Sequence, residues 1–155
     1  MGWVTLSLRK HTLRSQINDF ELQDITLSRQ LRTVQRHLAY DKSILHTDKK
    51  SEIDEAKKPY KEAIQNRPKV SDPTYAEWEA NYTEVKQKFE EDRNDIEDYY
   101  ESKVSELEDE STDRENQIQE QQTSLESELE AMRQELESVT EQISNDIQNT
   151  KINFK

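Results

Sequence analysis

WVTLSLRKHTLRSQINDFELQDITLSRQLRTVQRHLAYDKSIL, residues 3–45, is the stretch on which the fold turns. Stepping alternately by three and four from Trp3 reaches Leu6, Lys10, Leu13, Ile17, Phe20, Asp24, Leu27, Leu31, Val34, Leu38, Asp41 and Leu45, and ten of the thirteen positions are apolar. That alternation holds one stripe of a helix toward a partner, which is the pattern of a coiled coil rather than a lone surface helix. Val4, Leu6 and Leu8 alternating with Thr5 and Ser7 also suit a short strand or an irregular lead-in, so the first turns are where a helix is least firmly specified.

A second stripe follows. Tyr75, Trp78, Tyr82, Val85, Phe89, Asp92, Ile96 and Tyr99 lead to Val104 and Leu107, and after an eleven-residue step Ile118, Leu125, Leu129, Met132, Leu136, Val139 and Ile143 resume the spacing. A coiled coil tolerates an eleven-residue step, and the polar stretch from Glu108 to Gln117 holds neither Gly nor Pro. All three prolines, Pro59, Pro68 and Pro73, lie between the stripes, with Asn66-Arg67-Pro68 and Ser71-Asp72-Pro73 supplying turn chemistry. The chain is therefore expected to reverse near residues 66–74, with Asp72 or Ser71 capping the second helix and Pro73 in its first turn. Pro59 is expected either to kink the first helix or to begin a short segment over residues 59–65.

The resulting expectation is an all-α fold, an elongated antiparallel α-helical hairpin or coiled coil. Residues 1–58 form a basic first helix, 59–74 a proline-containing bend, 75–150 an acidic second helix and 151–155 a tail. Helices of these lengths would run for roughly 80 and 110 Å. Composition agrees: one Gly, no Cys, 30% hydrophobic and 36% charged residues with a mean hydropathy of -1.21 fit long helices. Residues 1–70 hold 14 basic and 9 acidic side chains and residues 71–155 hold 8 and 25, so the halves carry +5 and -17 and should attract one another.

With a bend centred near Lys69, residues whose numbers sum to about 138 should stand level. Leu6 then meets Met132, Leu13 meets Leu125 and Phe20 meets Ile118, while Asp24 faces Arg114 and Lys10 faces Glu128, pairing charges that would be costly alone on an apolar stripe. In that register the second helix overruns the first and leaves Val139, Ile143, Ile147, Ile152 and Phe154 without a partner in the hairpin. Val4, Leu8, Leu22, Ile25 and Ile44 fall off the stripe altogether. Leftover apolar faces of this kind serve self-association or docking on a larger assembly. The expected docking residues are Trp3, Leu6, Arg9, Leu13 and Arg14 at one contact and Val139, Ile143 and Ile147 at another.

Chemistry-bearing motifs are sparse, and no enzyme is expected. A single Gly leaves no dinucleotide or phosphate loop, and the absence of Cys removes thiolate metal sites and cysteine nucleophiles. His11, His37 and His46 are not spaced as a metal pair, and the acidic runs Glu90-Glu91-Asp92 and Asp95-Glu97-Asp98 lack the Gly of a calcium loop. No catalytic, cofactor or metal-binding residues are therefore assigned. Arg29, Arg32 and Arg36 share one face, but a pI near 4.8 and the acidic second helix oppose nucleic acid. The amphipathic start could lie on an anionic membrane, yet its apolar residues continue the stripe and favour a protein groove. No signal-peptide core or membrane-length apolar run is present, so a soluble chain, intracellular or packaged, is expected.

The opening Met1-Gly2-Trp3-Val4-Thr5-Leu6-Ser7-Leu8-Arg9-Lys10, with Leu13, Ile17-Asn18-Asp19-Phe20-Glu21-Leu22 and Leu27-Ser28-Arg29-Gln30-Leu31, resembles the starts of small coiled-coil proteins from the structural gene blocks of tailed bacteriophages, including crAss-like gut phages. The resemblance spans about 40 residues and includes no catalytic motif. It implies a virion or assembly component: a scaffold, a packaged cargo, or an accessory to portal, capsid or tail, present in multiple copies among protein partners. A likeness of architecture alone also links the chain to the helical-hairpin stalk and chaperone proteins of secretion apparatuses.

Overall fold

The computed structural model describes residues 2–153 and consists of two helices, α1 (Trp3–Gln65, 63 residues) and α2 (Tyr75–Asn153, 79 residues), packed as an antiparallel hairpin. No strand occurs among the described residues, so the Val4-Leu6-Leu8 alternation resolves as helix. Phe154 of the expected tail lies outside the described residues, and α2 continues to Asn153.

α1 does not stop at residue 58: it passes through Pro59 and ends at Gln65. Pro59 removes the N–H that would bond the Glu55 carbonyl, a loss of about 3 kcal/mol in a helix interior. Both residues are exposed, so that carbonyl can turn to water. The residues after the proline are held from the other side, since Tyr60 stacks on Tyr82 and Phe89, each at 5.7 Å between ring centroids, and Ala63 is buried. Packing thus outweighs the local cost of the proline.

Asp72, rather than Ser71, caps α2. Its Oδ1 accepts from the Thr74 backbone N–H at 2.9 Å and from the Thr74 hydroxyl at 2.7 Å, while its carbonyl accepts from the Tyr75 N–H at 3.1 Å. Pro73 sits between them, where a missing N–H has no intrahelical partner to lose. The Thr74 hydroxyl, followed by its N–H, holds the Asp72 carboxyl below its ordinary value.

The chain packs as two units, one joining Met1–Val34 to Asp113–Lys155 and the other formed by Gln35–Thr112. The first has its core at Leu6, Leu13 and Val139, against which Met132, Leu136 and Ile143 pack, with Ile17, Ile118, Leu125 and Leu129 also buried. Leu13 is fully enclosed. Three cross-helix polar contacts flank this unit: Arg9 to Glu135 through two hydrogen bonds of 2.8 and 2.9 Å, Arg133 to Glu21 at 3.1 Å, and Gln122 to Ser28 at 3.0 Å.

The second unit contains the bend. Its rings form a chain in which Tyr75 meets Trp78 at 5.5 Å, Trp78 meets Tyr82 at 5.1 Å, and Tyr82 passes to Tyr60 and thence to Phe89. Tyr100 is buried and donates to Glu52 Oε1 at 2.7 Å, and Lys42 forms an ion pair with Glu108. Tyr99, expected on the stripe, is 55% exposed, because the buried position falls four rather than three residues after Ile96.

The level of pairing differs from the expected one. Ser28 with Gln122 and Lys42 with Glu108 each give residue numbers that sum to 150, and Arg9 with Glu135, Tyr100 with Glu52 and Arg133 with Glu21 give 144, 152 and 154, all above 138. Trp78 and the rings beside it fill the bend, and the stripes meet further along α2 than a symmetrical turn would place them. Val139 and Ile143 consequently have partners within the hairpin, and the overrun of α2 is shorter than expected.

Candidate docking surface

Eight residues were expected to dock a partner, and the fold divides them. Leu6, Leu13 and Val139 are 4%, 0% and 7% exposed and Ile143 packs against them, so these four build the hairpin's own core and are not a surface. Arg9 is tied to Glu135. Trp3 and Ile147 remain open, at 54% and 42% exposure, and Arg14 is exposed. The numbers of Trp3 and Ile147 sum to 150, the level set by Ser28 and Gln122, so the two belong to the same open end of the hairpin. Ile152, one and a half turns further along α2, is 69% exposed.

The expected polar pairs do not form. Arg9 rather than Lys10 bonds across the helices, and its acceptor is Glu135, two turns beyond Glu128. Asp24 lies one turn before Ser28, whose partner is Gln122, which puts Asp24 about three turns from the level of Arg114. Asp24 Oδ1 is buried and accepts no hydrogen bond. Ser111 Oγ, buried in the other unit, is likewise unpaired. The eleven-residue step is filled by Ser111, which is buried, and Glu115, which is half-buried, so the stripe continues through the step at reduced apolarity.

A second set of exposed apolar side chains lies along the side of α1. Val4, Leu8, Leu22 and Ile25 are 49–65% exposed although they alternate with the buried Leu6, Leu13 and Ile17. A shallow groove beside them is lined by Leu22, Gln23, Thr26, Leu27, Gln121 and Leu125. The outer face of α2 within this unit is polar, presenting Asn116, Glu120, Thr123 and Ser127.

The bend carries a further groove of about 360 Å³ lined by Ile64, Arg67, Tyr75, Trp78, Glu79, Tyr82 and Thr83. Arg67 lies over the Trp78 ring at 5.7 Å, a cation–π contact that occupies the ring face. Tyr60 and Tyr82 share a hydrogen bond of 3.3 Å, and this bond, followed by burial, raises the Tyr60 hydroxyl above its ordinary value. The sequence signalled the rings but not that they stack on one another as the wedge of the bend.

His11, His37 and His46 are exposed, and among the described residues no group of three His, Asp or Glu side chains converges as a metal site. Among those residues, too, no helix is long and apolar enough to cross a membrane. No protein-family model, curated protein or solved structure matches the chain.

Proposed function

We propose that this chain is a non-enzymatic structural or assembly protein, a hairpin component of a bacteriophage virion that docks on portal, capsid or tail proteins through its open end. The observation that carries the reading is the exposure of Trp3, Ile147 and Ile152 at the end where α1 begins and α2 finishes. Large apolar side chains left open beside a satisfied core are the usual mark of a protein contact. Indole and branched aliphatic groups are the side chains that anchor such contacts. The phage-like opening sequence supplies the kind of assembly, and the antiparallel hairpin supplies a scaffold that holds this end fixed.

The test is a pull-down of the tagged full-length chain from its native source, run beside Trp3→Glu/Ile147→Glu. Neither substituted side chain is part of the buried core, so the variant keeps its helicity. Removing residues 1–15 instead would delete Leu6 and Leu13 and destroy the hairpin itself. Capsid, portal or tail proteins recovered with the wild type and lost with the variant support the proposal. Recovery of a ring ATPase or of export substrates overturns it in favour of a secretion stalk.

A further inference from the structure

The chain has six Tyr and no Cys, and two of its phenols meet hydroxyl to hydroxyl across the hairpin. Tyr60 of α1 and Tyr82 of α2 lie 3.3 Å apart at their oxygens and 5.7 Å apart at their ring centres, with planes inclined by 29°. The rings therefore converge toward their hydroxyl ends, where the ortho carbons sit. Phe89 stacks on Tyr60 at 5.7 Å and Trp78 on Tyr82 at 5.1 Å, which limits how far either phenol can swing away from the other. Both are half-buried, held in place yet within reach of an oxidant in solution. The other tyrosines are placed differently. Tyr100 gives its hydroxyl to Glu52, Tyr99 meets Tyr100 edge-on at 89°, Tyr75 meets Trp78, and Tyr40 is 66% exposed.

We infer that Tyr60 and Tyr82 are an oxidative modification site, at which a peroxide acting through a haem catalyst joins the two rings as a dityrosine and closes the hairpin covalently at its bend. Each phenol loses one electron and one proton and becomes a phenoxyl radical. The two radicals form a bond between an ortho carbon of Tyr60 and an ortho carbon of Tyr82, and the hydrogens on those carbons move to the oxygens as the rings regain aromaticity. The protein gives up two electrons and two protons in all, and one hydrogen peroxide takes them to become two waters. Position favours this pair, because a radical on either ring has its coupling partner already in contact, whereas a second chain must diffuse to it. The new bond closes residues 60–82 into a loop, and a cross-link of that kind restricts the unfolded chain as a disulfide does where cysteines are present.

The test treats the dilute full-length chain with hydrogen peroxide and a haem peroxidase, and maps the product by peptide mass spectrometry and dityrosine fluorescence. The main product should be a monomer lighter by two hydrogens, with residue 60 linked to residue 82 and a raised melting temperature. Tyr60→Phe and Tyr82→Phe keep their rings and should each lose this link, with helicity checked by circular dichroism. Tyr99→Phe and the open-end variant Trp3→Glu/Ile147→Glu should form it as the wild type does. The same treatment in concentrated urea should give about tenfold less of the link, because the unfolded chain no longer holds the two rings together. A product dominated by chain-to-chain dimers or by links through Tyr40 or Tyr99 overturns the inference. So does an equal yield in urea, or a chain whose tyrosines do not couple at all.

Discussion

The indole Nε1 of Trp78, in the first turn of α2, donates a 2.8 Å hydrogen bond to the main-chain carbonyl of Ala63, in the last turn of α1. Carbonyls at the end of a helix have no partner in their own ladder, and here the reversal of the chain supplies one from the side chain of the next helix. The same ring lies beneath the Arg67 guanidinium and continues into the stack of Tyr82, Tyr60 and Phe89. The bond and the stack can be separated. Trp78→Phe keeps a ring and removes the N–H, and should cost about 1 kcal/mol. Trp78→Ala removes both and should cost about 3 kcal/mol, measured by urea denaturation of each variant.

Tyr100 makes the stability of the bend unit sensitive to high pH. Its hydroxyl is pushed up to about 12, first by the hydrogen bond to Glu52, then by burial and by the charges of Glu52 and Asp48. The protonated phenol is the form that the fold favours, so its contribution is complete below the unfolded value of 10.0 and disappears as pH rises from there through about 12. Thermal melts should show stability falling across that interval, and Tyr100→Phe should flatten part of the fall. An equally steep fall in Tyr100→Phe would show that other groups, such as the similarly raised Tyr60, account for all of it.

Much of this architecture is legible in the three-four spacing, because each helix needs one apolar stripe and the stripes at residues 6–45 and 75–143 are marked by Leu, Ile and aromatic side chains. The turn is legible from Asp72-Pro73 for the same kind of local reason. The level of pairing is not. A heptad stripe matches its partner again after every slide of seven residues, so Leu13 finds an apolar residue at Leu125, at Met132 and at Val139 alike. What distinguishes the levels is the set of contacts made across the helices, from Arg9 with Glu135 to Tyr100 with Glu52, between side chains far apart in sequence that periodicity does not encode. The docking residues shifted for that reason: Leu6, Leu13, Val139 and Ile143 pass from surface to core, while Trp3 and Ile147 stay open.

Asp24 shows what the slide leaves behind. Its Oδ1 is buried on the apolar stripe with no hydrogen-bond donor, and removing such a group relieves a desolvation cost without losing a bond. Asp24→Leu should stabilise the hairpin by about 1–2 kcal/mol in urea titrations, with the slope of the transition unchanged. Asp24→Asn keeps a polar group in the same place and should gain less. Destabilisation by Asp24→Leu would instead mean that the carboxylate has a donor at this position in solution.

The level of pairing can itself be measured through Leu13. This residue is completely enclosed and shares a core with Val139, so Leu13→Ala should cost about 2–5 kcal/mol, and Val139→Ala should cost less because it deletes a smaller side chain. Two side chains in one core share a cavity when both are cut back, and the pair should depart from additivity by about 0.5–3 kcal/mol. Leu125 is buried too, but it is not among the residues packed around Leu13 and Val139. Leu13→Ala with Leu125→Ala should therefore add to within about 0.5 kcal/mol. A double-mutant cycle on each pair distinguishes the two levels with the same chemistry at each site. Strong coupling of Leu13 to Leu125, with additivity toward Val139, would place the helices at the 138 level and return Val139 to the surface.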